Sequence, residues 1–426
     1  MRNLSKTFAG FAVVALGFGI SAARAESLEG RWDATLTVNG AVIPFRLDIS
    51  GTGAALKGTL YNGDDKEITT KASFENGKLV LNMEHYLTRI VATLQDGQLK
   101  GKIEMRGDKG PEGSPFQAER YMPASVSAEA APSITGVWEV PFNSPKGEKA
   151  WRFIARQSGN DVSAAILRVD GDTGALTGSY RDGKFVLSHF DGSRPYLLEV
   201  TPQQDGTLAL VQKGGGPRQG SLTAYRTEVA RAKGLPEPEN YTTHTTMKDA
   251  SEVFIFSGPD VNGKVLSNDD PTFRGKVVLA IVTGTWCPNC HDEAQYLVQL
   301  YKKYRDQGLE IVALDFEEPE QQDDLARVHA FMKQYGVEYT YLIEGAPAEM
   351  WEKVPQAVNL NTWPATFFVG RDGRVKLIHT GFAAPASGEF NQQLKQEFTS
   401  TIERLLAEKG GDLSAASHTS SVVAQR

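Results

Sequence analysis

Cysteine is nearly absent from this chain: 426 residues contain two, Cys287 and Cys290. That scarcity excludes a structural disulfide framework, because chains of this size bury enough core to fold without staples. An excess of positive charge is also missing. The formal net charge is −7, which argues against a nucleic-acid partner. Long apolar runs are confined to the first 25 residues. There, Arg2 and Lys6 precede the apolar stretch Phe8 to Ile20, and Ala23-Arg24-Ala25 follows it. The stretch is too short to span a bilayer comfortably and has the layout of a secretory signal cleaved after Ala25. An uncleaved N-terminal anchor is the alternative. No cysteine follows the stretch, which excludes a lipid anchor. The expected mature chain is therefore exported, periplasmic or its equivalent, and without stable membrane insertion.

What is abundant in the front half is glycine between short alternating runs. Three matches recur there at one offset of 106 positions. Gly30-Arg31-Trp32 returns as Gly136-Val137-Trp138. Phe74 to Leu81 returns as Tyr180 to Leu187, and Ala118-Glu119-Arg120 as Ala224-Tyr225-Arg226. One offset holding across three separated matches implies a tandem duplication. Residues 26–122 and 133–230 then form two all-β modules, barrels or sandwiches, joined by the Ala/Ser/Pro linker Pro123 to Pro132. Strands are expected at Trp32–Val38, Ile43–Ile49, Lys57–Tyr61 and Lys78–Met83, with Asn76-Gly77 and Asp182-Gly183 as hairpin turns. Trp32 and Trp138 read as core residues rather than ligand stackers. His85 and His189 have no ligating neighbours in sequence, so no metal site is expected. Gly214-Gly215-Gly216-Pro217 reads as a turn and not a phosphate loop.

A second linker, Val229 to Thr245, leads to a different pattern in residues 246–409. Apolar strands are expected near Val253–Ser257 and at Val277–Thr283, Leu309–Phe316, Tyr339–Ile343, Thr366–Val369 and Val375–Thr380. Helices are expected at His291–Gln307, Gln321–Tyr335 and Glu389–Lys409. The order is that of an α/β domain. Residues 410–426 are Ser/Ala/Thr-rich and read as a disordered tail.

Chemistry has one obvious address. Trp286-Cys287-Pro288-Asn289-Cys290 falls where the strand Val277–Thr283 hands over to a helix. The first sulfur sits at the helix N-terminus, where unpaired N–H groups and the helix dipole favour a thiolate. The second lies one turn further in, close enough to close a disulfide or to resolve a mixed one.

Four features together resemble the thioredoxin fold, and more narrowly the exported TlpA/ResA-like thiol–disulfide oxidoreductases. An N-terminal hairpin leads through Phe273-Arg274-Gly275-Lys276 into the strand. Trp286-Cys287-x-x-Cys290 follows. Glu293 stands three residues beyond the second cysteine, and Pro364 precedes Thr366-Phe367-Phe368. The resemblance covers about Lys248 to Lys409 and none of the duplicated half. It implies a redox couple in which Cys287 is a partly exposed nucleophile and Cys290 a more buried resolving thiol. It also implies a catalytic acid at Glu293, a cis Pro364 facing the substrate, and a substrate face that includes Trp286 and Trp363. By position alone, without the resemblance, Glu293 reads as a solvated helix-surface acid. The implied partners are thiols and disulfides of exported proteins and an unidentified membrane electron donor, with no metal or organic cofactor. Four departures stand out, one of them Gln295 where the family often has a helix-kinking Pro. Ile281 occupies a position that is acidic in cytosolic thioredoxins, leaving Glu293 as the only nearby acid. Asn289, not Pro, precedes the second cysteine, and Trp363 is bulky for its place.

The expected function is a disulfide reductase acting on envelope proteins. Three other readings compete. Cys287-Pro288-Asn289-Cys290-His291 also spells a c-type haem attachment motif with His291 as axial ligand; otherwise His291 is a solvent-facing residue of the first helical turn. The long front half is compatible with an envelope binding protein carrying a structural disulfide. Thiol peroxidase chemistry is the third, although Thr283 and Thr285 do not reproduce the Thr-x-x-Cys spacing of peroxiredoxins.

Overall fold

The computed structural model describes residues 27–106, 113–123, 130–214 and 220–408. The expected signal segment, the C-terminal tail, part of the linker Pro123 to Pro132 and all but Gly214 of the glycine turn lie outside them.

Alternating burial along the first strands makes a curved sheet with one apolar face. In Ala41–Ser50, every second residue from Ala41 to Ile49 is buried, as a period of two requires. Nine antiparallel strands between Gly30 and Arg120 form one sheet. Gly30–Val38 and Ser114–Arg120 pair at its centre, with Trp32 opposite Arg120. Its edges are Asp65–Ile68 and Lys71–Glu75. A second nine-stranded sheet runs from Gly136 to Arg226 and closes on itself. Its strand Asp161–Arg168 pairs with both Ala150–Ser158 and Leu176–Arg181. The first sheet lacks the matching closure for a local reason. The stretch equivalent to the start of Asp161–Arg168 is a 3-10 turn at Gly53–Ala55, so the strand begins only at Lys57. Gly51 tightens that turn at φ +75, where a Cβ would meet the Ala55 carbonyl oxygen at 2.2 Å.

Trp32 and Trp138 are core residues in both sheets. Each indole N–H donates to a carbonyl four residues earlier, at 2.9 Å, in Leu28 and Ile134 respectively. Arg120 and Arg226 lie 3.9 and 3.7 Å over the two rings.

Residues 246–408 form a five-stranded sheet in the order Thr340–Gly345, Leu309–Phe316, Val277–Thr283, Ala365–Val369, Val375–Thr380. The first three strands are parallel and the last two antiparallel to their neighbours. All seven residues of Val277–Thr283 are buried. Val277, Leu279 and Ile281 face the helices Pro288–Tyr304 and Glu389–Ala407. Val278, Ala280 and Val282 face Phe254, Phe256 and Phe273. The expected helix from Gln321 starts instead at Ala326, because Leu325 takes a left-handed conformation (φ 52) that no helix accommodates. Part of the expected second linker is the helix Thr227–Ala232.

The three units share their cores. Phe190 of the second sheet packs in the first core, 5.0 Å from Phe45. Asn62 exchanges two 3.0 Å hydrogen bonds with the Phe190 backbone. Ile154 and Leu167 of the second sheet belong to the cluster built around the helix Pro288–Tyr304. At the tightest point two glycines meet. A Cβ on Gly381 would lie 2.5 Å from the Gly171 nitrogen, and one on Gly171 would lie 2.7 Å from the Phe382 oxygen and 2.8 Å from the Asn289 side chain.

That fit is directly measurable. Gly183→Ala, at φ +79 with open space around it, should cost about 1 kcal/mol of backbone strain. Gly171→Ala, at φ +113, adds overpacking and should cost about 2 to 4 kcal/mol. Urea midpoints of the two variants compare them; equal losses would mean that the Gly171 interface is loose.

Candidate active site

The chain leaves the buried strand at Thr283 and turns through Gly284, where no side chain fits: a Cβ there would lie 2.3 Å from the Trp286 indole nitrogen. Trp286 Nε1 donates to the Phe316 carbonyl at 2.8 Å. Cys287 is the N-cap of the helix Pro288–Tyr304, and Pro288 occupies its first turn, the position where a missing N–H costs nothing. Both cysteines carry free thiols, and Cys287 lies within hydrogen-bonding reach of the Cys290 thiol.

The expected partial exposure of Cys287 is not found. It is 4% exposed, against 2% for Cys290. Its Sγ donates to the Trp363 carbonyl at 3.5 Å. The Trp363–Pro364 peptide bond is cis. The Trp286 and Trp363 rings meet edge to face at 5.2 Å, and Phe316 backs Trp363 at 5.6 Å. The residues assigned to a substrate face thus cluster at the nucleophile and shelter it.

Glu293 is not a solvated surface acid. It is 1% exposed, and its Oε1 accepts a 2.6 Å hydrogen bond from Thr366 Oγ1, two residues after Pro364. Burial pushes its pKa up to about 8, with the Thr366 bond opposing. Burial also pushes the Cys290 thiol well up, and the adjacent Cys287 adds to the effect. Glu293 is not the only nearby acid, contrary to expectation. Asp315, opposite Thr283 on the neighbouring strand, is fully buried. Burial and the neighbouring Glu317 raise its pKa well above the usual carboxylate range. Glu317 in turn pairs with the buried Arg327 and accepts from both the backbone and the hydroxyl of Thr285, two residues before Cys287. A charge at the far end of the apolar run Leu309–Phe316, whose other charge is Glu310 at its start, was the available signal for Asp315.

His291 corrects a second expectation. It is fully buried, stacked on Tyr86 of the first sheet at 4.2 Å and edge-on to Phe331 at 4.7 Å. Nε2 lies 2.7 Å from the Thr285 carbonyl, and Nδ1 lies 3.0 Å from the Tyr335 hydroxyl. Burial holds its pKa well below the usual histidine range. These partners assign a neutral ring with the proton on Nε2 and leave neither nitrogen for an axial haem bond. Asp292 meets Arg194 of the second sheet at 3.3 Å. Burial and neighbouring acids push its pKa up to about 7 against the pull of Arg194. Among the described residues, no group of three His, Cys, Asp or Glu could hold a metal ion. No described helix is long and apolar enough to cross a membrane.

Glu293 makes the stability depend on pH in a defined direction. Its pKa rises from 4.5 to about 8 on folding. The native state is therefore fully favoured below pH 4.5 and loses that advantage as pH rises through 8. Glu293→Gln has no proton to lose. Its urea-derived stability relative to the parent should rise by on the order of 3 kcal/mol between pH 4.5 and 8. A flat difference would mean that Glu293 is ionised in the fold.

The AhpC/TSA family model matches residues 250–378. The thiol-disulfide oxidoreductase ResA of Bacillus subtilis is 32% identical over 136 residues, covering 32% of this chain and 69% of that protein. ResA of Bacillus thuringiensis subsp. konkukian is 33% identical over 137 residues, covering 32% of this chain and 71% of the relative. A solved structure, a putative thiol:disulfide interchange protein DsbE from Chlorobium tepidum, aligns at 22% identity and a TM-score of 0.29, over 37% of this chain and 99% of the other. Sharing about a third of its aligned residues with ResA along more than two thirds of that chain, the protein belongs to the ResA-like thiol-disulfide oxidoreductases, and the matching part is its C-terminal redox domain.

Proposed function

We propose that the chain reduces disulfides of exported proteins through the Cys287–Cys290 couple. The single observation that carries the reading is a pair of thiols at a helix start, beneath Trp363–Pro364, with a buried Glu293 one turn beyond the second sulfur. In the proposed exchange, Cys287 attacks one sulfur of the substrate disulfide as a thiolate. An S–S bond forms to Cys287, and the other substrate sulfur leaves as a thiolate and takes up a proton. Cys290 then gives up its proton and attacks the Cys287 sulfur. The second substrate thiol is released, and the two electrons of the enzyme dithiol have passed to the substrate. Cys290 cannot ionise easily in its buried site, so the step needs a local base. Glu293, with a pKa of about 8, can take and return a proton near neutral pH. Trp286, Trp363 and Pro364 are assigned the substrate face.

The direction, reduction rather than oxidation, follows the family analogy, and so does resetting of the couple by a membrane dithiol donor. Export rests on the signal-like first 25 residues. We further infer that residues 26–122 and 133–230 are copies of one ancestral module and that residues 246–409 form the redox domain. The anchors Trp32/Trp138 and Arg120/Arg226, each pair 106 positions apart with the same contacts, support the duplication.

Cys287→Ser should reduce turnover of a disulfide-bonded peptide, with dithiothreitol as donor, to the uncatalysed rate. Cys290→Ser should accumulate a peptide adduct at Cys287, visible as a mass increase that dithiothreitol removes. Turnover retained by Cys287→Ser, or an adduct forming on Cys290 of the Cys287→Ser variant in preference, would overturn the assignment.

A further inference from the structure

The front half reaches the redox motif with two arginines, one from each sheet. Arg194, in the second sheet unit, donates from Nη1 to Asn289 Oδ1 at 3.1 Å. Asn289 is one of the two residues between the cysteines. Its other amide atom, Nδ2, donates to the Asp170 carbonyl at 2.6 Å. The Asn289 amide is therefore gripped at both ends by the second unit and cannot turn. Arg194 is itself fixed, with Nε on Asp191 at 2.8 Å and Nη2 on Asp292 at 3.3 Å. The close approach of Gly171 to Gly381 and Asn289 leaves this loop no slack. On the other side of the nucleophile, Arg106 of the first sheet donates from Nη1 to the Trp286 carbonyl at 3.0 Å. It pairs with Glu318 at 3.2 Å and lies over the Trp286 ring at 5.6 Å. Trp286 immediately precedes Cys287.

We propose that Arg106 and Arg194 are positioning residues that set the redox equilibrium of the Cys287–Cys290 couple, so that the two β modules complete the redox centre in addition to whatever they bind. The proposal rests on the reading of that couple as the reacting pair. The sign follows from charge. The reduced couple can carry a negative sulfur and the disulfide cannot. Each arginine places a cation beside the motif and neutralises carboxylates there: Glu318 for Arg106, Asp191 and Asp292 for Arg194. Removing either one takes a positive charge away from the neighbourhood of the sulfurs and disfavours the reduced form. In exchange with glutathione, the enzyme dithiol and glutathione disulfide give the enzyme disulfide and two glutathione thiols. Two electrons and two protons move to glutathione. Loss of either arginine should shift this equilibrium toward the enzyme disulfide.

The test uses the full chain equilibrated in glutathione buffers, with the oxidised fraction counted by alkylation and mass. Arg194→Ala and Arg106→Gln should each favour the enzyme disulfide by about three- to tenfold relative to the parent. Arg89→Ala, which removes an exposed pair with Glu104 on the first sheet, should leave the equilibrium unmoved. Asn289→Ala added to Arg194→Ala should shift it less than Asn289→Ala alone, because the two side chains act through one contact. Equilibrium constants within twofold of the parent for both arginine variants, with unchanged thermal unfolding, would overturn the proposal. If Arg194→Ala does not fold, Arg106→Gln decides. A parent chain that shows no reversible transition would instead refute the redox couple itself, which separates the two failures.

Discussion

The three units of this molecule meet on one helix whose first turn is closed off from solvent, although Gln295, Gln299, Lys302 and Lys303 further along it face water. Pro288–Tyr304 carries polar residues at Asn289, His291, Asp292 and Glu293, yet all but Asp292 are buried. Three different parts of the chain cover them. Glu293 turns to the strand after the cis proline. His291 turns to Tyr86 of the first sheet and to Tyr335. Asn289 and Asp292 turn to Arg194 of the second. Burying this many polar groups is tolerable only where each finds a partner, and the three units supply those partners between them. The redox motif of this chain is thus covered in part by its own N-terminal half.

That burial changes the chemistry available to the side chains. In a low dielectric an acid without a cation is protonated and a histidine without an acid is neutral. Glu293 and Asp315 are pushed up and His291 is pushed down for that reason. The buried exceptions are compensated, as Glu317 is by Arg327 and Asp191 by Arg194. A carboxyl with a pKa of about 8, one turn from a thiol that resists ionisation, can exchange a proton near neutral pH.

The features readable in the sequence were those written locally. The Cys-x-x-Cys pair, the strand Val277–Thr283, Pro364 and the paired tryptophans each declare themselves within a few residues. What could not be read is contact between distant segments. Arg194 and Asn289 are 95 positions apart, and nothing in either neighbourhood predicts the meeting. His291 was expected in solvent because a polar residue on an amphipathic helix ordinarily faces water; Tyr86, two hundred residues upstream, occupies that space instead. The burial of Cys287 failed to show for the same reason, since Trp363 and its carbonyl come from a separate loop. The differing closure of the two sheets depended on a single 3-10 turn at Gly53–Ala55, a local detail that the repeat pattern masks.

If the three units depend on one another in this way, they should lose structure together. The most direct measurement is equilibrium urea unfolding of the reduced full chain with two probes on the same samples: pulsed hydrogen exchange of peptides from the two β units, read by mass, and pulse alkylation of Cys290 for the redox core. Coincident midpoints and slopes are the predicted result, because shared cores and a covered helix start leave no unit stable without its neighbours. Unfolding of the β units at clearly lower urea, with Cys290 still protected beyond it, would contradict the account and return the front half to the role of an appended module.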